Sequence, residues 1–167
     1  MGSYTIGKER VFLRVAEHFG WKVCVSAAKY KIIKCCDFPD FEQRFTMDPT
    51  ETPLHVIPIN NLAKPKLLKY LEDHPQYTSV VGVRPTGWTF EENPTATEVP
   101  AAPKLDGKVM SISAPYSEHS SFDELRAFVV STRPVMIIST VPASKEVKEE
   151  MNGYFADWMG FTTAQSF

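Results

Sequence analysis

The chain has 167 residues, a formal net charge of −2 and 43% hydrophobic residues, which suits one compact domain or two small halves that share a core. The near-neutral charge argues against a strongly basic nucleic-acid-binding arm and against an acidic disordered tail. No apolar run approaches the roughly 20 residues of a membrane span, and the first ten residues lack the apolar stretch of a signal peptide. Three cysteines form no even disulfide framework, so composition predicts a soluble domain in a reducing compartment.

The charge is distributed unevenly along the chain. Residues 1–36 contain seven basic and two acidic residues, a net charge of +5, whereas the remainder contains 11 basic and 18 acidic residues, a net charge of −7. A local positive excess of this size can attract a polyanion such as DNA. The alternative, that these lysines solvate exposed helix faces, stays open from the sequence alone.

Apolar periodicity and turn residues predict alternating helices and strands. The predicted helices cover residues 7–20, 27–36, 64–73, 122–131 and 144–158. The predicted strands cover residues 22–25, 54–59, 79–83, 109–114 and 135–139. Pro58 limits its strand to an edge or an end of a sheet, Arg84 and Pro85 are expected to close theirs, and loops are expected at 37–53 and 91–106. This order favours an α/β fold with a largely parallel sheet.

Two polar segments follow predicted strands, at residues 84–88 and 115–121. Ligands of parallel α/β proteins bind at the carboxyl ends of strands, which makes both segments candidates for a site. Trp88 in the first segment is expected to pack rather than to stack on a base.

The start of the chain nearly matches a phosphate-binding loop, with glycines at 2 and 7 followed by Lys8. Glu9 stands where that motif needs a hydroxyl group for magnesium, and only Met1 precedes Gly2, which leaves no room for the preceding strand. Nucleotide hydrolysis is therefore not expected. A milder hypothesis is that Lys8 and a helix amino terminus contact a phosphate.

The segment from Pro115 to Ser121 combines an imidazole, a phenol, a carboxylate and three hydroxymethyl groups. His119 suits zinc, and the hydroxyls of Tyr116, Ser117 and Ser120 suit a terminal phosphate. The competing interpretation is a helix capped by Ser121 with a histidine that only packs, because catalytic zinc needs about three protein ligands.

No other residues complete a catalytic group in the sequence. The remaining histidines, at positions 18, 55 and 74, lack metal-ligand spacing and are expected to be structural or exposed. None of the serines near His119 lies in a nucleophile elbow. Cys35 and Cys36 are adjacent and are expected to pack in the core.

Four ordered motifs, spanning Tyr4–Phe12, Arg84–Trp88, Pro115–Ser121 and Ile138–Val141, resemble the DNA cross-link repair nucleases. These are metallo-β-lactamase/β-CASP enzymes, the group that includes Artemis, Apollo and the yeast interstrand cross-link repair nuclease. The resemblance implies an α/β fold that combines the later part of a β-CASP domain, at residues 1–107, with the carboxy-terminal segment of a metallo-β-lactamase αββα fold, at residues 108–167.

The same resemblance implies roles for two residues. His119 stands where the family has a metal ligand, and Val141 matches the motif of members that act on DNA rather than RNA. The family's His-x-His-x-Asp-His motif is absent from this sequence and would lie before Tyr4. Because a lone His119 cannot hold zinc in a catalytic geometry, the chain is expected to bind zinc weakly and to lack nuclease activity by itself.

The leading expectation is therefore the carboxy-terminal part of a zinc-dependent 5′-to-3′ DNA exonuclease of interstrand cross-link repair. Its expected partner is damaged DNA with 5′-phosphorylated ends, its location the nucleus, and no membrane is involved; protein partners are unknown. A second hypothesis is a non-catalytic DNA- or protein-interaction module of the same fold, whose binding to the DNA backbone weakens steeply with salt. A third, an unrelated α/β enzyme, lacks the several convergent groups of an active site.

Overall fold

A computed structural model describes residues 1–87, 106–140 and 144–160. The strands are β1 (Gly2–Ser3), β2 (Val23–Val25), β3 (Phe45–Thr46), β4 (His55–Pro58), β5 (Val80–Thr86) and β6 (Val109–Pro115). The helices are α1 (Glu9–Phe19), α2 (Ala27–Lys34), α3 (Phe41–Arg44), a 3-10 turn (Ile59–Asn61), α4 (Lys64–Glu72), α5 (Phe122–Thr132) and α6 (Lys145–Trp158). All pairings between these strands are parallel, which confirms the predicted α/β class. The expected loop at 91–106, apart from Asp106, lies outside the described residues, as do Trp88 and Val141.

The chain divides into two compact units, one from Met1 to Glu118 and one that begins at His119. This division follows contacts in space and does not test the proposed family boundary between residues 107 and 108, which stays a prediction. No helix among the described residues is long and apolar enough to span a membrane.

A four-stranded sheet with the order β1-β4-β2-β3 organises the first part of the first unit. All three residues of β2 are buried, as expected for an interior parallel strand that is covered on both faces. Cys24 pairs with His55, and Gly2 pairs with Ile57. The core contains side chains from α1, α2 and the sheet: Phe12, Ala16, Val23, Val25, Ile33, Phe45, Leu54 and Val56. The sheet thus brings the carboxyl ends of β1, β2 and β4 to one edge.

Local signals set most of the element ends correctly. Gly20 ends α1 in the left-handed region, with φ 67°, and the side chain of Ser26 caps α2 by accepting from the amide of Lys29 at 3.3 Å. Pro58 is the last residue of β4, which confirms that this proline restricts its strand to an end.

Strands β5 and β6 form a second sheet, paired from Val80–Val109 to Thr86–Pro115. The prediction that Arg84 and Pro85 close the strand was wrong, because β5 continues through both. Proline lacks an amide hydrogen, so a strand tolerates it where no pairing partner needs that donor. In the described two-stranded sheet β5 has one partner, β6.

Two capped helices dominate the second unit. Ser121 and Glu124 form the reciprocal capping box at the start of α5, as predicted for Ser121. The rings of Phe122 and Trp158 meet edge to face at a centroid distance of 5.0 Å, which joins α5 to α6.

Two predictions about apolar residues were wrong. Residues 135–139 form no strand, and Val135 is 100% exposed, because an apolar run becomes a strand only when a neighbouring strand pairs with it and none of those described does. Cys35 and Cys36 are exposed rather than packed in the core. They follow the last residue of α2, and their thiols donate to the carbonyls of Lys31 and Ile32.

Candidate functional site

The loop between β1 and α1 holds Lys8 in an unusual backbone conformation. Lys8 is the N-cap of α1 with φ 70°, a left-handed conformation that is uncommon for residues other than glycine. Its amide donates to Glu118 Oε1 at 2.7 Å, and the amide of Gly7 donates to Glu9 Oε2 at 2.7 Å. Two carboxylates therefore satisfy amides at the start of the helix, where negative charge is favourable.

Gly7 is required for this arrangement. Its φ of 112° suits glycine, and a Cβ at this position would lie only 2.7 Å from Glu118 Oε2. A side chain here would displace the carboxylate from the start of α1. The glycine thus permits the contact between two segments that lie 110 residues apart in the sequence.

The Lys8 side chain is 6% exposed. Its Nζ donates one long hydrogen bond, 3.4 Å, to the carbonyl of Tyr116, and lies 5.6 Å and 5.1 Å from the ring centroids of Tyr4 and Tyr116. Among the described residues, no carboxylate oxygen lies within 4.0 Å of this ammonium group. A buried cation with so little compensation favours the binding of an anion.

Lys29 is a partly buried lysine whose ammonium group, unlike that of Lys8, has several hydrogen-bond partners. Its Nζ forms an ion pair with Glu9 Oε1 at 3.3 Å and donates to the carbonyls of Tyr4 and Thr5 at 2.9 and 3.3 Å. A further bond of 3.1 Å goes to Ser3 Oγ. This ammonium group is saturated by the protein, and its role is to fix the loop that carries Tyr4 and Lys8.

The segment after β6 supplies the other side of the Lys8 environment. The amide of Tyr116 donates to the carbonyl of Thr86 at 2.9 Å, which continues the parallel pairing beyond β6. Burial and the neighbouring Glu118 carboxylate raise the pKa of the Tyr116 phenol, and the Tyr116 hydroxyl donates to Glu118 Oε1 at 3.4 Å. Ser117 lies against Gly87, where a Cβ would be 3.2 Å from Ser117 Cβ.

The structure therefore brings together two of the predicted phosphate contacts, Lys8 and Tyr116, with Ser117 next in the same segment. His119 and Ser120 are exposed and belong to the second unit. Val141, the residue typical of the DNA-acting type, falls outside the described residues.

The described residues do not fit a complete metal centre. Within residues 1–87, 106–140 and 144–160, no three His, Cys, Asp or Glu side chains lie close enough to hold one metal ion. Catalytic zinc uses about three protein ligands. His119 thus remains a single candidate ligand, on the resemblance alone.

A second polar cluster surrounds His55 on β4. Its Nδ1 pairs with Tyr70 Oη at 2.8 Å, and its Nε2 with the carbonyls of Thr52 and Pro49 at 2.8 and 3.1 Å. Burial lowers the pKa of His55, and the nearby His74 lowers it further. The cluster borders a largely apolar cavity of about 390 Å³. These contacts agree with the expectation that His55 is a structural histidine.

Ion pairs reduce the positive excess of residues 1–36. Lys22 pairs with Glu51 at 2.7 Å, and Lys34 pairs with Glu42 at 3.2 Å. Both partners lie beyond residue 36, in the acidic remainder of the chain. The charge asymmetry along the sequence is therefore partly cancelled in space, which weakens the case for a basic DNA-binding face.

Sequence reasoning missed the roles of Glu118, Glu9 and Lys29. Glu118 lies inside the polar segment that the sequence singled out, but its partner is 110 residues away and no local pattern indicates it. In the sequence Glu9 is a departure from the phosphate-binding loop, and in the structure it accepts hydrogen bonds from the Gly7 amide and from Lys29 Nζ. From the sequence, Lys29 is only one of the seven basic residues of the segment 1–36.

The helices and the parallel sheets define a mixed α/β protein. Comparison with known proteins identifies its family. The family model described as "DNA repair metallo-beta-lactamase" matches residues 39–145, more than half of the chain. The chain therefore belongs to the DNA repair metallo-β-lactamase family, which confirms the resemblance read from the motifs.

Three relatives illustrate the similarity. The chain is 37% identical over 161 residues to "DNA cross-link repair protein SNM1" of Arabidopsis thaliana, covering 95% of this chain and 33% of the relative. It is 36% identical over 159 residues to "DNA cross-link repair 1A protein" of Mus musculus, covering 94% and 15%. It is 26% identical over 142 residues to "5' exonuclease Apollo" of Rattus norvegicus, covering 84% and 22%. The chain spans a third or less of the length of these relatives.

Proposed function

We propose that this chain is part of a 5′-to-3′ DNA exonuclease of interstrand cross-link repair, and that it supplies the pocket for the 5′-terminal phosphate. The names of the relatives, which include cross-link repair proteins and a 5′ exonuclease, support the activity. The single observation that carries the phosphate pocket is the buried ammonium group of Lys8, which has no carboxylate partner among the described residues.

A phosphate at this position gains three kinds of contact. The Lys8 ammonium group offers a charge in a poorly solvated setting, where an ionic hydrogen bond is stronger than in water. The Tyr116 hydroxyl, which donates to Glu118 Oε1 at 3.4 Å, would turn to the phosphate, and the hydroxyl of Ser117 is the remaining proposed donor in this unit. A phosphate contact from Ser120 stays a prediction of the sequence. The Glu118 carboxylate already bonds the Lys8 amide, so the side chain rather than the helix start receives the phosphate.

The family implies metal ions, and we propose zinc as the metal and His119 as one ligand. The whole sequence contains four histidines, and no cluster of three ligands occurs among the described residues. We therefore expect the purified chain to retain less than stoichiometric zinc after dialysis and to show no exonuclease turnover by itself. Damaged DNA in the nucleus is the proposed setting, in keeping with the repair role that the relatives' names state.

The phosphate pocket is tested by binding of a single-stranded oligonucleotide that carries either a 5′-phosphate or a 5′-hydroxyl. We expect the wild-type chain to prefer the phosphate, and Lys8→Met to lower that preference by about tenfold, since one charge-assisted hydrogen bond contributes roughly 1.5–3 kcal/mol. Lys31→Met is the matched control, because Lys31 is an exposed lysine of the same basic region. Equal preference in wild type and Lys8→Met would contradict the proposal.

A further inference from the structure

We propose that Tyr4 and the cavity beside it form a subsite for the nucleobase of the 5′-terminal nucleotide. The inference rests on the proposed function, because the phosphate of that nucleotide would lie at Lys8. Since the base and the 5′-phosphate of a nucleotide are joined through one sugar, a protein that holds the phosphate at Lys8 places the base near the residues that surround Lys8.

Tyr4 is the aromatic residue that this geometry offers to the base. Its ring centroid lies 5.6 Å from Lys8 Nζ, yet Tyr4 is 55% exposed. Its backbone is fixed, because the Tyr4 carbonyl accepts from Lys29 Nζ at 2.9 Å and from Ser3 Oγ at 3.1 Å. The ring is therefore an exposed aromatic surface on a rigid support, which is the arrangement that single-stranded nucleic-acid sites use for stacking.

The cavity lies at the carboxyl edge of the first sheet and has a volume of about 350 Å³. Residues at or after the carboxyl ends of β1, β2 and β4 line it, among them Ser3, Tyr4, Thr5, Ser26, Lys29 and Asn60. Crevices at the carboxyl ends of parallel strands are the usual ligand sites of such sheets, and the volume lies at the small end of the roughly 300–1,000 Å³ typical of ligand pockets.

The chemistry of the lining favours a base over a second phosphate. Lys29, the charged residue in the lining, is saturated by Glu9, two carbonyls and Ser3, so it has little charge left for an anion. The hydroxyls of Thr5 and Ser26 and the amide of Asn60 are neutral donors and acceptors that suit base edges. An aromatic face with neutral polar neighbours binds a base through stacking and tolerates different base identities.

The experiment compares two 5′-phosphorylated oligonucleotides, one with a normal 5′-terminal nucleotide and one with an abasic residue at that position. We expect Tyr4→Ala to weaken binding of the normal oligonucleotide by about tenfold and to leave binding of the abasic one unchanged. Tyr4→Phe keeps the stacking face and should bind both like wild type. Phe19→Ala is the matched control, because Phe19 is equally exposed, at 55%, but lies at the other end of α1.

The outcomes separate this inference from the function on which it rests. Equal weakening of both oligonucleotides by Tyr4→Ala would overturn the base subsite, because Tyr4 would then act only on Lys8 and the phosphate. Unchanged binding of both would overturn it as well. A wild-type chain without preference for the 5′-phosphate would instead overturn the phosphate pocket, and the base subsite with it. Loss of binding that depends on the terminal base and is restored in Tyr4→Phe supports the proposal.

Discussion

The first unit holds two buried basic side chains, Lys8 and His55, in contrasting environments. Both ring nitrogens of His55 have partners within 3.1 Å, and its pKa is lowered, so it is held neutral. The Lys8 ammonium group has one hydrogen bond of 3.4 Å and two aromatic rings. A satisfied neutral group contributes to stability, whereas a poorly satisfied cation costs stability and gains most from a ligand. This contrast separates a structural cluster from a candidate binding site.

The largest expected effect on stability is at His55. His55→Ala leaves the Tyr70 hydroxyl and the Thr52 carbonyl without this partner, and we expect a loss of about 2–4 kcal/mol in the free energy of unfolding. Urea unfolding measures this loss, and amide hydrogen exchange in β2 and β4 locates it. Lys8→Met, which replaces a buried cation by an apolar side chain of similar length, should be neutral or stabilising.

The opposite result would remove the distinction between the two clusters. If Lys8→Met destabilised the protein as much as His55→Ala, the Lys8 ammonium group would be a structural element. Its single long hydrogen bond would then be no argument for a binding site. At low temperature and without denaturant, where the sheet of His55→Ala remains folded, the affinity of this variant for the 5′-phosphorylated oligonucleotide should match that of wild type.

The contrast between these two groups was only partly visible in the sequence. The parallel α/β class, the helix caps at Ser26 and Ser121 and the end of β4 at Pro58 followed from local chemistry, which neighbouring residues determine. The burial of Lys8 did not follow, because its environment combines the β1–α1 loop with a segment more than 100 residues later. A lysine in a sequence is expected at the surface unless such distant contacts are known.

The errors have the same physical origin. The apolar run at 135–139 has strand-like composition, but a strand exists only with a pairing partner, and composition alone does not supply one. Cys35 and Cys36 follow a helix that ends at Lys34, two residues before the predicted end at residue 36. Both segments are apolar in sequence. Whether an apolar segment is buried depends on long-range packing, which the local sequence does not specify.

A smaller effect is expected at Glu118, which links the two sides of the Lys8 environment. Glu118→Ala removes the 2.7 Å bond to the Lys8 amide, and we expect a loss of about 1 kcal/mol, since the residue is exposed and the bond is partly replaced by water. Glu118→Gln retains an acceptor and should lose less. Hydrogen exchange of the first amides of α1 measures the effect, with Glu17→Ala as a surface control. Unaltered exchange in Glu118→Ala would show that the contact does not hold the helix start.

The last expected effect is the pH dependence that His55 contributes. Burial lowers its pKa in the folded protein below the ordinary value of 6.5, and the neighbouring His74 ring, 5.4 Å away, opposes a further positive charge. The unfolded chain therefore binds a proton at a higher pH than the folded one. Stability that is fully present above about pH 6.5 is then lost as the pH falls toward the folded-state pKa, by at most about 1.4 kcal/mol per pH unit.

The difference in unfolding free energy between wild type and His55→Gln isolates this contribution, because the other titrating groups are common to both proteins. We expect the difference to grow with pH up to about 6.5 and to be constant above it. An NMR titration of the His55 ring protons in wild type gives the folded-state pKa directly. A folded-state pKa at or above 6.5 would mean that the folded protein does not disfavour the protonated His55 ring. The predicted loss of stability at low pH would then be absent.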